Sequence, residues 1–267
     1  MDDESTESCA KITIERQGHI LLIGINRPYI HNRIDPEAYH ALAKVYYDYD
    51  HESSLRAAVL FGQGENFSRG VDVDAFTELA KTGKPTELVE GELDPLGKIK
   101  RLSKPLIVVA HGDTWNMGHE LLLTADVRIA AADVRFGQDE NTHGRFPGGG
   151  ATVRFVREAG WANAMRYMLT GDHWGADEAR RIGVVQEIAP DREKALALGI
   201  EIAGRVARCA PLGIRTTLAS AHLAIDAGED AAYCELDAQY GALYRTNDFL
   251  EGRKAEAEGR PPNYVGT

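Results

Sequence analysis

Short apolar runs recur along the first half of the chain, each bounded by polar or glycine-containing turns. Residues 11–14 and 19–25 are β-branched runs on either side of Gln17-Gly18, a pattern that predicts a β-hairpin entering a sheet. Three further runs have the length and apolar character of buried strands: 57–61, 106–110 and 127–131. Helical segments separate these strands, so we expect right-handed crossovers and a mainly parallel sheet in an α/β fold.

Helix signals lie between the predicted strands. Asp35-Pro36 predicts a helix start, because aspartate is a favoured N-cap and proline fits the first helical position. We expect Asp72 to cap a second helix through 75–79, a third helix to end near Leu102, and a short helix to cover 120–124. Strands and helices therefore alternate as far as about residue 131.

Helical patterns dominate beyond about residue 151. The predicted helices cover 151–159, 162–169, 176–180, 192–208, 216–225 and 231–244, with Gly228 between the last two and one strand at 184–188. The chain is accordingly expected to comprise a polar N-terminal tail (1–10), a core (11–200) and a C-terminal helical subdomain (201–267).

The net charge and the spacing of the cysteines argue against several kinds of binding partner. The 267 residues carry a formal net charge of -11, whereas surfaces that bind nucleic acid are normally basic. No apolar run reaches the length of a membrane span, and the start Met1-Asp2-Asp3-Glu4 is acidic where a signal peptide would be basic. The three cysteines are widely separated and match neither a disulfide framework nor a zinc site. We expect a cytoplasmic protein with no nucleic-acid or membrane partner and no metal.

Five groups of motifs appear in a fixed order between about residues 11 and 260. They are Asn26-Arg27-Pro28 with Asn32 and Ile34; 67–72 (FSRGVD); 112–126 (GDTWNMGHELLLTAD); 136–140 (FGQDE) with 147–150 (PGGG); and 169–172 (LTGD) with 176–179 and 183–185. In order and spacing they resemble the motifs of the crotonase (enoyl-CoA hydratase/isomerase) superfamily. Each motif is common by itself, but together they extend the resemblance over nearly the whole chain.

The resemblance implies a crotonase-like spiral of ββα units with a trailing helical region, usually assembled as a homotrimer or a dimer of trimers. It also implies an acyl-CoA substrate. Coenzyme A would then be part of the substrate, and no separate cofactor is expected. The expected activity is that of an enoyl-CoA hydratase, which adds water to a trans-2-enoyl-CoA thioester or removes it in the reverse direction.

Hydration of an unsaturated thioester places negative charge on the thioester oxygen, so the site needs fixed hydrogen-bond donors there. The resemblance assigns this role to the backbone N–H groups of Val71, after Gly70, and of Met117, before Gly118. The family usually has a run of glycines where this chain reads Asn116-Met117-Gly118. A residue other than glycine can still donate if its backbone is not required at positive φ. The alternative is that Met117 is simply an apolar residue of a core helix.

Hydration also requires groups that exchange protons with the water and with the α-carbon. Glu120 in GHEL and Glu140 in FGQDE occupy the two positions at which the hydratases of the family carry glutamate. The resemblance implies that these carboxyls position the water and transfer the protons. Alternatively, Glu120 is a first-turn acid favoured by the helix dipole, and Glu140 is a solvated loop carboxylate.

Other residues near the motifs are less usual. His119, Asp139 and His143 would suit the C–C bond hydrolysis that some family members perform on β-diketones, with His143 as a substrate contact. Alternatively, the histidines lie on a polar surface or hydrogen-bond near the site. Arg33 and Arg69 are candidates for binding the phosphates of coenzyme A, and surface salt bridges are the alternative for both.

Several functions stay open beside hydration. Isomerases and decarboxylases of the family often keep only one of the two carboxyls, so the presence of both favours a hydratase over an isomerase. A β-diketone hydrolase would use the histidines. A non-catalytic acyl-CoA-binding protein would be favoured by Arg69 and Met117, which replace smaller residues of the family motifs.

Overall fold

A mostly parallel sheet forms the centre of the molecule. The computed structural model describes residues 10–267, and within that range the larger sheet has six strands. Their spatial order is β1 (Ile12–Gln17), β2 (Ile20–Ile25), β3 (Ala57–Gly62), β4 (Leu106–Ala110), β6 (Val127–Ala131) and β9 (Glu187–Ala189). β1 pairs antiparallel with β2, and the later neighbours pair in parallel. The predicted hairpin and mainly parallel sheet are confirmed.

A second, smaller sheet gives the chain its spiral course. It contains β5 (Asp113–Trp115), β7 (Arg135–Gly137) and β8 (Trp174–Gly175). β5 follows β4, and β7 follows β6, after short turns, so each of these passes adds one strand to each sheet. Helices then lead to the next pass. This order is that of the expected spiral of ββα units.

Helices connect the passes and form the C-terminal region. They are α1 (Pro36–His51), α2 (Val73–Lys81), α3 (Met117–Leu122), α4 (Ala151–Ala159), α5 (Trp161–Thr170), α6 (Ala176–Arg181), α7 (Arg192–Ala207), α8 (Pro211–Ala227), α9 (Glu229–Leu243) and α10 (Asn247–Glu258). α1 begins as predicted, since Asp35 accepts a hydrogen bond from the Ala38 N–H at 2.8 Å. α2 does follow Asp72, but the Asp72 side chain makes no capping bond. Its backbone N–H instead donates to the Ile34 carbonyl at 2.7 Å, so a backbone bridge fixes this turn.

The described chain between α2 and β4 contains no helix, so the helix predicted to end near Leu102 is wrong. Asp94 is buried in this loop and accepts a hydrogen bond from the Tyr39 hydroxyl at 2.6 Å. It also accepts bonds from the N–H groups of Leu96 and Lys98, at 3.0 and 2.8 Å. An aspartate bonded in this way competes with helical hydrogen bonds and holds the backbone in turns.

The C-terminal helices differ in what they pack against. α7 lies on β3, β4 and β6, and it approaches so closely that a side-chain carbon at Gly199 would be 2.7 Å from Val109 Cγ2. The break between α8 and α9 falls at Gly228 as predicted, where φ is +93°. α7 continues across the predicted boundary at residue 200, and that division stays a prediction.

Two expectations concern the ends and the environment of the chain. Residues 1–9 of the predicted polar tail lie outside the described residues. Within residues 10–267, none of the helices has both the length and the apolar character needed to cross a bilayer.

Candidate active site

A cavity of about 950 Å³ lies where α2, the start of α3 and the loops around residues 84–98 and 140–149 meet. Its lining includes four residues that the sequence placed in the site: Val71, Met117, Glu120 and Glu140. They come from separate passes of the spiral and are therefore distant along the chain. The volume falls within the range of small-molecule sites, about 300–1,000 Å³.

Glu120 projects from α3 into the wall of this cavity. The side chain is buried, and its Oε1 atom accepts a hydrogen bond from the Ala151 N–H at 3.1 Å. The Gly149 N–H is a second backbone donor to the same carboxyl. Burial raises the pKa of Glu120, whereas the two N–H groups favour its ionised form. Glu120 does lie in the first turn of α3, as the predicted alternative has it, but its burial beside the cavity goes beyond a helix-dipole role.

Glu140 follows β7 and is also buried. The Gln138 amide donates from Nε2 to both carboxyl oxygens, at 2.9 and 3.2 Å. Burial, followed by the negative charge of Glu120, raises the pKa of Glu140 to about 7, with a smaller contribution from Asp139 and an opposing one from Arg145. Burial thus raises the pKa of both carboxyls, and two acids whose pKa values lie above the usual range are suited to act as an acid and base pair.

The backbone amide of Met117 lies close to the segment that carries Val71. Gly70 has φ +87°, and a side-chain carbon built on it would lie 3.2 Å from Met117 N. Bonds from Ile34 N to Gly70 O and from Asp72 N to Ile34 O hold this segment on one side, at 2.8 and 2.7 Å. Within residues 10–267, neither the Val71 N–H nor the Met117 N–H donates a hydrogen bond. The cavity is therefore provided with two free donors.

Asn116 provides the sharp turn that directs Met117 into α3. Its φ of +52° and ψ of -119° are sparsely populated for any residue other than glycine. The side chain donates from Nδ2 to Asp139 Oδ1 at 2.9 Å and accepts from the Asp139 N–H at 3.0 Å. Since Asn116 takes the positive φ, Met117 is free to donate as the first residue of a helix. Sequence reasoning did not single out Asn116, although its motif contains it.

The glycines next to these amides serve close packing. A side-chain carbon at Gly118 would lie 2.4 Å from the Ser68 carbonyl oxygen, so α3 approaches the segment before Gly70 too closely for any other residue. Gly70 and Gly118 thus shape the backbone of the site.

The other predicted contacts lie elsewhere. Arg69 pairs with Asp113 at 2.6 Å and lies over the ring of Trp115 at 4.7 Å. Arg33 donates to the Val71 carbonyl at 3.2 Å, and His143 is an exposed side chain beside Asp139. None of Arg33, Arg69 and His143 is among the described residues that line the cavity. Their roles in substrate binding stay predictions.

Cations that the sequence did not point to line the cavity instead. They are Lys81, Lys84, Lys98 and Arg145. These side chains supply positive charge on a chain whose overall charge is strongly negative. Within residues 10–267, no group of three or more His, Cys, Asp or Glu side chains is arranged to hold a metal ion.

The sequence and the structure of this chain are similar to those of known proteins over most of its length. The family described as "Enoyl-CoA hydratase/isomerase" matches residues 15–267. A solved structure of a probable enoyl-CoA hydratase/isomerase from Mycobacterium abscessus has a TM-score of 0.94 and 40% identity, over 97% of this chain and 99% of that one. The enoyl-CoA hydratase EchA19 of Mycobacterium tuberculosis is 31% identical over 97% of this chain and 98% of its own. The (E)-benzylidenesuccinyl-CoA hydratase of Thauera aromatica is 31% identical over 96% and 99%.

Proposed function

This chain belongs to the enoyl-CoA hydratase/isomerase family, and we propose that it adds water across the double bond of a trans-2-enoyl-CoA thioester. The reverse reaction removes water from a 3-hydroxyacyl-CoA. The observation that carries the proposal is that two buried carboxyls, Glu120 and Glu140, share one cavity with the free amides of Val71 and Met117. An isomerase needs only one proton-transferring group, whereas hydration uses both carboxyls.

Each group has a part in the proposed reaction. The Val71 and Met117 N–H groups form an oxyanion hole for the thioester oxygen, whose negative charge grows as water adds. Glu120, which accepts two backbone N–H bonds that favour its ionised form, takes a proton from the water as the water oxygen attacks the β-carbon. Glu140, whose pKa of about 7 lets it keep a proton near neutrality, delivers that proton to the α-carbon. After the reaction the two carboxyls together still hold one proton, which is now on Glu120.

The basic lining of the cavity supports a coenzyme A thioester as the substrate. We propose that Lys81, Lys84, Lys98 and Arg145 meet its phosphates. Because coenzyme A is part of the substrate, the reaction as proposed needs no further cofactor.

We further propose that the protein acts in the cytoplasm as a homotrimer or a dimer of trimers. Exposed apolar side chains on α9 support a subunit interface, since Tyr233 is 64% exposed and Tyr240 61%. Light scattering coupled to gel filtration measures the mass of the assembly.

Turnover of crotonyl-CoA tests the proposed function. We expect the absorbance of the conjugated enoyl thioester to fall when purified protein is added, with 3-hydroxybutyryl-CoA as the product. Acyl-CoA binding without turnover would point instead to a binding protein. Cleavage of a β-diketone that depends on His143 would point to a hydrolase.

The pH dependence follows from the coupled carboxyls. The active free enzyme carries one proton on the pair, and the last proton leaves as the pH rises through the Glu140 pKa of about 7. We therefore expect kcat/KM to fall above pH 7, and to fall again at low pH when both carboxyls are protonated. Hydration and dehydration should show the same alkaline limb, because both directions start from the singly protonated pair. A kcat/KM that is flat from pH 6 to pH 9, about one unit below Glu140's pKa to two above, would contradict this assignment.

A further inference from the structure

His119 is a fully buried histidine that precedes Glu120 but is not among the described residues that line the cavity. Its ring lies edge-on to Phe136, Phe155 and Trp174, with centroids 5.8, 4.9 and 5.2 Å away. Its Nδ1 atom is 2.6 Å from Gln138 Oε1, and Nε2 has no hydrogen-bond partner among the described residues. The ring thus makes one polar contact, and that contact leads to the active site.

The amide of Gln138 connects this histidine to Glu140. Gln138 donates from Nε2 to the Glu140 carboxyl, so its single oxygen must face His119 and accept a hydrogen bond there. Only the tautomer with hydrogen on Nδ1 satisfies that oxygen. Burial lowers the pKa of His119 to about 4, so the ring is neutral and carries one N–H.

We propose that His119 is a positioning residue, which through its Nδ1–H fixes the Gln138 amide so that Gln138 donates to Glu140. The inference rests on the proposed hydratase function. When Glu140 gives its proton to the α-carbon, the bond from the carboxyl oxygen to hydrogen breaks and a carboxylate remains. The Gln138 N–H groups stabilise that carboxylate.

Without the Nδ1–H donor, the Gln138 amide is free to turn over. Its oxygen would then accept a hydrogen bond from the protonated Glu140 carboxyl, holding the acidic proton away from the substrate. The new bond would favour the protonated form of Glu140, because it is made only to that form. Loss of the donor should therefore slow proton delivery and move the alkaline limb of kcat/KM to higher pH.

Two variants of similar size test this role. His119→Asn carries an N–H at about the position of Nδ1, whereas His119→Leu has a similar shape without a donor. Both lose the aromatic ring, so a role in aromatic packing alone would weaken both, and it would weaken the apolar leucine no more than the polar asparagine. We expect kcat of His119→Leu to fall about 10- to 100-fold below that of His119→Asn, the size expected for one hydrogen bond to a charged group. We also expect the alkaline limb of kcat/KM to move to higher pH in His119→Leu and to keep its wild-type position in His119→Asn. Equal kcat values and unmoved limbs would overturn the proposal.

The tautomer provides a test that needs no folded variant. Nitrogen-15 NMR of the histidine-labelled wild-type protein should show one pH-insensitive buried ring with hydrogen on Nδ1 and a bare Nε2. Hydrogen on Nε2 would overturn the proposal even if the enzyme is a hydratase. If wild-type protein does not hydrate crotonyl-CoA, the proposed function fails, and the tautomer still decides whether His119 orients Gln138.

Discussion

Replacing Glu120 with glutamine should lower kcat for the hydration of crotonyl-CoA by about 10²- to 10⁴-fold, the range measured for loss of a positioned proton-transfer group. Glutamine keeps the shape of the side chain and can still accept the Ala151 N–H through its oxygen. It cannot take a proton from water. KM should change little, because the thioester oxygen and the phosphates are held by other groups. Glu140→Gln should show a loss of the same order, since the α-carbon then receives no proton from this site.

The stability of the Glu120→Gln variant separates chemistry from folding. Burial raises the pKa of Glu120 in the folded state, so its ionisation costs stability at pH values above the unfolded pKa. Removing the charge should therefore leave the free energy of unfolding at pH 8 unchanged or higher, as measured by urea denaturation. Glu187→Gln, at the exposed first position of β9, is the matched control and should retain wild-type activity. Activity of Glu120→Gln within tenfold of wild type would argue against a role in catalysis.

The sequence predicted the sheet because its strands are defined locally. The runs 57–61, 106–110 and 127–131 are short and apolar, and each became a strand within one residue of its predicted limits. The strand predicted at 184–188 forms only over Glu187–Ala189. The loop between α2 and β4 was not predictable in this way. Its conformation depends on Asp94, which is fixed by the Tyr39 hydroxyl 55 residues away in sequence. A local pattern carries no signal for such a partner.

The residues of the candidate site also divide into those that the sequence could locate and those that it could not. Glu120 and Glu140 could be located because they lie within motifs whose order places them in one cavity. The cations that line the cavity could not be located, because a motif position does not ensure that a charged side chain reaches the cavity. Arg69 occupies a motif position yet is held by Asp113, 44 residues further along the chain. Asn116 was missed for a related reason: its side chain is fixed by Asp139, which the fold alone brings near. Contacts between separate passes of the spiral therefore decide which charges reach the cavity.

Two adjacent glycines give the second large expected effect. A side-chain carbon at Gly149 would lie 2.2 Å from Glu120 Oε2 and 2.6 Å from its Cδ, whereas one at Gly148 would meet only the Phe146 oxygen, at 3.9 Å. Neither glycine has positive φ, so the two substitutions differ in contacts rather than in backbone strain. Gly149→Ala should reduce kcat about 10²-fold, because displacing a catalytic group by about 1 Å has an effect of that size. Gly148→Ala should stay close to wild type in the crotonyl-CoA assay.

A double-mutant cycle attributes the effect of Gly149→Ala to the Glu120 carboxyl. The added methyl should destabilise the wild-type protein by about 1–3 kcal/mol, as overpacking of a filled site does. In a Glu120→Ala background the carboxyl is gone, so the same methyl should cost little and should fill part of the space that the shorter side chain leaves. The unfolding free energies of the four proteins would then show a coupling of about 0.5–3 kcal/mol. If Gly149→Ala destabilises both backgrounds equally, the methyl collides with the surrounding backbone, and the carboxyl of Glu120 does not lie where the proposed proton transfer requires it.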